Sequence, residues 1–108
     1  MFEKDVTIGY LLDFYGELLT ERKRQVLDLY YNCDLSLSEI ADELGISRQA
    51  VRELASRAGA ELKEFEQKLK AAEKFRIIDA AAASAAADPG NAELVSAQLE
   101  LIRKTIKD

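Results

Sequence analysis

The segment "LSEIADELGISRQAVRELAS", residues 37–56, restricts the fold of this chain more than any other stretch. Two helices that meet steeply across a tight turn need small residues where their backbones approach, and a residue tolerant of positive φ at the turn itself. Ala41 stands at such a contact point inside the first helix, and Gly45 stands at the turn. Ile40, Leu44, Ile46, Val51 and Leu54 are then expected to point into a shared core. Ser36 with Glu39 three residues later forms a capping box for the first helix, and Ser47 is placed to cap the second. The spacing predicts a helix-turn-helix.

The flanks carry helical patterning too. Ile8, Leu11, Leu12 and Tyr15 make one apolar stripe, followed by Gly16, which suits the left-handed position after a helix. Thr20 can cap a second helix whose inner face would use Val26, Leu27, Tyr30 and Tyr31, and "NCDLS" at 32–36 reads as a connecting loop. Beyond Ser47, the positions Val51, Ala55, Ala58, Leu62, Phe65, Leu69 and Ala72 follow a heptad-like spacing with no strong breaker before "DPG" at 88–90. A kink at Gly59 is one possibility; an unbroken helix would be a rod of roughly 60 Å at ~1.5 Å per residue. "AAAASAAA" at 80–87 favours helix, either for close approach of a neighbour or as a solvated tail. Val95, Leu99, Ile102 and Ile106 then repeat at spacings of 4, 3 and 4, a final amphipathic helix folded back on the long one or set against a partner subunit.

With Ala, Leu, Glu and Lys dominant, one proline and few β-branched runs, the expected fold is all-α: a helix-turn-helix bundle over 1–60 and a long helical extension over 61–108. A core of this size is modest, and burial against a second copy would help it. Leu62, Phe65, Leu69, Phe75, Ile78, Leu99 and Ile102 are the candidates for a homodimer contact, although Phe65, Leu69 and Phe75 could instead cover the protein's own first helices.

Composition narrows the function classes. There is no histidine, so His-dependent acid–base pairs and triads are excluded and most zinc sites disfavoured; no glycine-rich phosphate loop appears. Neither an enzyme, a cofactor nor a bound metal is expected. No segment approaches the ~20 apolar residues of a membrane span, and the N-terminus does not read as a signal peptide. The single Cys33, expected to be half-buried near a helix end, fits a reducing cytoplasm.

In a helix-turn-helix the N-terminal residues of the second helix face the major groove. Here those are Ser47, Arg48 and Gln49, with Arg52 and Ser56 one and two turns on and Arg57 as a further phosphate contact. Arg can bind guanine, and Gln adenine, through paired hydrogen bonds, while a helix N-terminus engages phosphate. Arg22, Lys23 and Arg24 form a second basic patch that could brace a backbone. The competing reading is a solvated face in which the arginines pair with Glu53 and Glu61. The net charge of −5 favours it, as do the six basic against seven acidic residues between 20 and 60, because duplex affinity depends on neutralising phosphates. The Glu/Lys alternation of "ELKEFEQKLKAAEK" needs no more than i,i+4 pairs on an exposed helix face.

Residues 11–51 resemble the YlxM family of small bacterial helix-turn-helix proteins. The resemblance lies in "DFYG" (13–16), "LLT" (18–20), "LYY" (29–31), "DLSLSEIA" (34–41) and "SRQAV" (47–51). More loosely, the region is similar to the promoter-reading region of bacterial sigma factors. The resemblance implies a sigma-like helix-turn-helix and a C-terminal extension suited to dimerisation. It also implies a role in or beside the signal recognition particle pathway, because genes of the family usually neighbour that of the particle's GTPase. No catalytic residues come with it. The match weakens after Val51, where members commonly read YDNIKR and this chain has "RELASR", only Arg57 agreeing. DNA is thus the expected ligand, with RNA as a further candidate. The other class of function is a protein adaptor that binds the targeting GTPase or its RNA–protein assembly and keeps the helix-turn-helix as scaffold.

Overall fold

The computed structural model describes residues 4–108, and these form six α-helices with no strand among them. They are α1 (Val6–Tyr15), α2 (Glu21–Tyr31), α3 (Leu37–Leu44), α4 (Arg48–Leu69), α5 (Ala71–Ala87) and α6 (Ala92–Lys107). The chain divides into two compact units, one ending at Leu69 and the other spanning Lys70–Asp108. The division expected at 60/61 falls inside α4.

In the first unit, α4 packs against α1, α2 and α3. Each helix brings the stripe its spacing predicts. Ile8, Leu11, Leu12 and Tyr15 of α1 are buried, as are Val26, Leu27 and Tyr30 of α2 and Ile40 and Ala41 of α3. From α4 come Val51, Ala55, Ala58 and Leu62, of which Val51, Ala58 and Leu62 have no exposed surface at all. The start of each helix is fixed locally. The Asp5 carboxylate accepts from Thr7 N–H, Thr20 Oγ1 from Lys23 N–H, and Ser47 Oγ from Ala50 N–H. Such caps each contribute about 1 kcal/mol.

Three expectations change. Gly16 does not take the left-handed conformation: its φ is −54°, and the chain runs on into a 3-10 turn over Gly16–Leu18. A Cβ added there would stand 3.2 Å from Leu12 Cδ1, so a larger residue would oblige the Leu12 side chain to shift. Cys33 is exposed, not half-buried, because it lies past the end of α2 in the loop to α3. The rod is not continuous either. The helix passes through Gly59 and breaks at Lys70, which adopts φ 54°, ψ 22° with no glycine, proline or asparagine to mark the place. A left-handed non-glycine residue costs roughly 1–2 kcal/mol.

The second unit is an antiparallel pair, α5 and α6, joined through Asp88–Asn91. Asn91 caps α6 through Leu94 N–H. The final helix folds back on α5, one of the two arrangements its sequence allowed.

Candidate nucleic-acid interface

The turn between α3 and α4 is built from adjacent local interactions. Ser36 Oγ accepts from Glu39 N–H at 3.1 Å, and the Glu39 carboxylate accepts from Ser36 N–H at 2.9 Å, closing the capping box. These hydrogen bonds hold the Glu39 carboxyl below the ordinary glutamate value of 4.5. At the other end Gly45 adopts φ 68°, ψ 33°, and both Gly45 and Ile46 N–H groups donate to Ala41 C=O. An L-residue with a side chain resists that conformation. Ile40, Ala41 and Val51 are buried as expected, while Leu44, Ile46 and Leu54 are half-buried at the edge of the core.

This turn delivers the N-terminus of α4 to the surface. Arg48, Gln49, Ser56 and Arg57 are exposed and Arg52 is half-exposed, all outside the buried Val51–Ala55–Ala58 stripe, with Arg48 and Arg52 on one flank of it and Arg57 on the other. Among the described residues none of the three arginines makes an ion pair. The anticipated partners are otherwise engaged: Glu61 faces Lys23 at 2.7 Å, and Glu53 lies 3.5 Å from the Gln49 amide. Neither reading of the sequence foresaw that pairing of Glu61. Ser47 Oγ already accepts from Ala50 N–H, which leaves its hydroxyl proton for a ligand.

The second basic patch fares differently. Lys23 is bound to Glu61, its side chain 21% exposed, in a contact close enough for an ion pair although no donor is aligned on Glu61 Oε2. A phosphate contact by Lys23 would thus compete with Glu61 for its ammonium group. Arg24 shares surface clefts with Glu17, Glu21 and Asp28, so its charge stands among carboxylates. Arg22 is exposed. Since Lys23 meets α4 at Glu61, this patch lies about 20 Å along the helix axis from Arg48 at ~1.5 Å per residue. The structure does not bring the two basic groups together.

Of the residues considered for a dimer contact, Leu62 is fully buried in its own unit and cannot serve without unfolding it. Phe65 is half-buried with its ring centroid 6.0 Å from that of Tyr15, whose hydroxyl donates to Glu66 at 2.6 Å. Leu69, Phe75 and Leu99 are more than half exposed, and Ile78 and Ile102 are half-buried. Among the described residues, no group of three or more His, Cys, Asp or Glu side chains is arranged to hold a metal, and no helix is long and apolar enough to cross a membrane.

A two-helix unit joined through a left-handed Gly45, with an exposed second-helix start, is matched by a known sequence pattern. The family model described as "Putative helix-turn-helix protein, YlxM / p13 like" covers residues 2–84. The chain belongs to this family. Among its relatives, a UPF0122 protein of Shouchella clausii is 52% identical over 75 residues, 69% of each chain. UPF0122 proteins of Bacillus cereus strain AH187 and Bacillus anthracis strain A0248 are each 49% identical over 76 residues, 70% of this chain and 69% of theirs. Family membership covers α1 to α4 and most of α5; α6 lies beyond the matched region. A helix-turn-helix family is not an enzyme class.

Proposed function

We propose that this chain is a cytoplasmic nucleic-acid-binding regulatory protein that contacts its ligand through the exposed start of α4. Ser47, Arg48 and the helix N-terminus bind backbone phosphate, Gln49 and Arg52 read base edges, Ser56 extends that edge by one turn, and Arg57 is a further phosphate contact. One observation carries this reading: Arg48 and Arg52 share one edge at the start of the second helix, and neither is neutralised by a carboxylate among the described residues. Surface arginines in an acidic protein are readily compensated, and here the nearby carboxylates are turned to other partners. Activity beside the signal recognition particle follows from the family resemblance, and makes that particle's RNA a ligand to test next to duplex DNA.

A second reading is favoured by charge. Residues 1–69 hold nine basic and fourteen acidic side chains, so the helix-turn-helix unit carries the whole net charge of −5. A protein adaptor for the targeting GTPase or its assembly would not suffer from that balance, whereas a phosphate binder must overcome it locally.

Binding of the full chain to bulk genomic DNA and to signal recognition particle RNA, at low and physiological salt, separates the two. The expected result is salt-sensitive binding to one of them, weakened at least about tenfold by each of Arg48→Ala and Arg52→Ala. If the double variant binds as wild type does, the site assignment is wrong. Silence on both nucleic acids, with a GTPase pull-down that survives nuclease, establishes the adaptor.

A further inference from the structure

We infer that the cleft between the start of α1 and the middle of α4 binds a small zwitterion with an apolar side chain, the chemical class of a free aliphatic or aromatic amino acid. Ile8, Ala55 and Gly59, all buried, form the apolar floor of this cleft, while Asp5, Tyr31, Ser56 and Lys63 bring polar groups to it. Its volume is about 320 Å³, at the low end of the range for ligand sites. At the ~30 Å³ that a water molecule takes up, it has room for about ten non-hydrogen atoms. Gly59 keeps that room open. It sits in the interior of a 22-residue helix, where glycine is disfavoured relative to alanine. Packing does not demand it, because an added Cβ would meet only the flexible Ile8 side chain, at 3.3 Å from Cδ1. What the missing methyl group preserves is space at the floor of the cleft.

The polar groups select the occupant. Lys63 Nζ stands 3.2 Å from Asp5 Oδ2, and both side chains remain open to solvent, at 57% and 42% exposure. A lone cation or anion entering beside this pair meets one favourable and one opposing charge at nearly the same distance. An uncharged molecule gains only the floor. A zwitterion matches both signs, its ammonium group set to Asp5 and its carboxylate to Lys63. The Tyr31 hydroxyl accepts from Asp5 N–H at 3.1 Å, which leaves its own proton for the ligand carboxylate. Burial pushes the Tyr31 phenol above its ordinary 10.0, so that proton stays in place at neutral pH. The hydrogen bond from Lys63, foremost, holds the Asp5 carboxyl below its ordinary 3.8, so it stays charged. Shifted groups that converge on one cleft are a mark of a binding site. Ser56 also belongs to the α4 edge assigned above to nucleic acid, but the inference holds whether or not that edge binds one.

Isothermal titration calorimetry of the full chain with L-leucine and with L-phenylalanine tests it. A dissociation constant below about 1 mM is expected for at least one of them, in keeping with a ligand of this size. The deaminated acid and the decarboxylated amine of that amino acid each lack one charge, and each should bind at least about tenfold more weakly. Gly59→Ala should also cost at least about tenfold in affinity, because the methyl group fills the floor, while its urea midpoint is unchanged or raised. Asp5→Asn keeps a side-chain cap for α1 and removes only the charge, and it should weaken binding by a similar factor, about tenfold. Binding weaker than about 1 mM for both amino acids overturns the inference. So do analogues that bind as tightly as the parent, and so does unchanged affinity in either folded variant. If Gly59→Ala loses its cooperative unfolding transition, Asp5→Asn decides alone.

Discussion

Gly45 and Ser47 stand two residues apart and together set the direction in which α4 leaves the turn. Nothing lies within 4 Å of a Cβ added at Gly45, so the cost of Gly45→Ala is purely one of backbone conformation at φ 68°. Urea denaturation is expected to show a loss of about 1–2 kcal/mol, with ligand affinity of the folded fraction little changed. Gly59 poses the opposite balance. An added Cβ would stand 3.3 Å from Ile8 Cδ1, the mobile end of a side chain bordering an open cleft, while alanine is favoured over glycine inside a helix by up to ~1 kcal/mol. Gly59→Ala is therefore expected to be neutral or stabilising in the same measurement, and a clear loss would mean that Ile8 cannot move. Glu39 gives the turn a pH dependence. Its folded pKa lies below the ordinary 4.5, so the stabilisation it provides is complete above that value and disappears as pH falls through the folded one. Glu39→Gln should flatten the decline in Tm between about pH 5 and pH 3 relative to wild type. Features of this kind were legible in the sequence because a cap or a turn glycine acts within four residues. Lys23 was not, since its partner Glu61 is distant in sequence, and Lys70 carries no local signal for the conformation it adopts.

Helix α4 shows why an element can be recognised and its partner still misassigned. Apolar positions alternating at three and four residues fit a coiled-coil seam and a globular helix equally well over four turns, because 3.5 and 3.6 residues per turn diverge only slowly. Val51, Ala55, Ala58 and Leu62 turn out to be buried within their own unit, where α4 packs on α1, α2 and α3, and that unit extends through Leu69. Leu62→Ala should cost about 2–5 kcal/mol, whereas Leu69→Ala, at a position 54% exposed, should stay within ~0.5 kcal/mol. Chemical denaturation of the two variants makes the comparison; equal losses would contradict this packing. The last helix was legible as amphipathic, but its stripe did not reveal that α6 turns Leu99 and Ile106 away from α5.

For the whole molecule the decisive quantity is where charge sits, which the sequence gives only as a sum. The chain is acidic, yet the edge of α4 at Arg48 and Arg52 is locally cationic, because among the described residues neither arginine is paired with a carboxylate. The all-α class and the helix-turn-helix were readable from spacing, and the family from a handful of short motifs. The compensation or exposure of each arginine depends on side-chain pairing between helices, which no local pattern encodes. The central claim, that this edge is the contact surface, is tested most directly by titrating the isotope-labelled full chain with duplex DNA and with signal recognition particle RNA while following backbone amide shifts. The expected result is that perturbations concentrate on Ser47 to Arg57 and fade as salt is raised. Perturbations confined to α2 or to the hairpin, with the start of α4 unmoved, would contradict it.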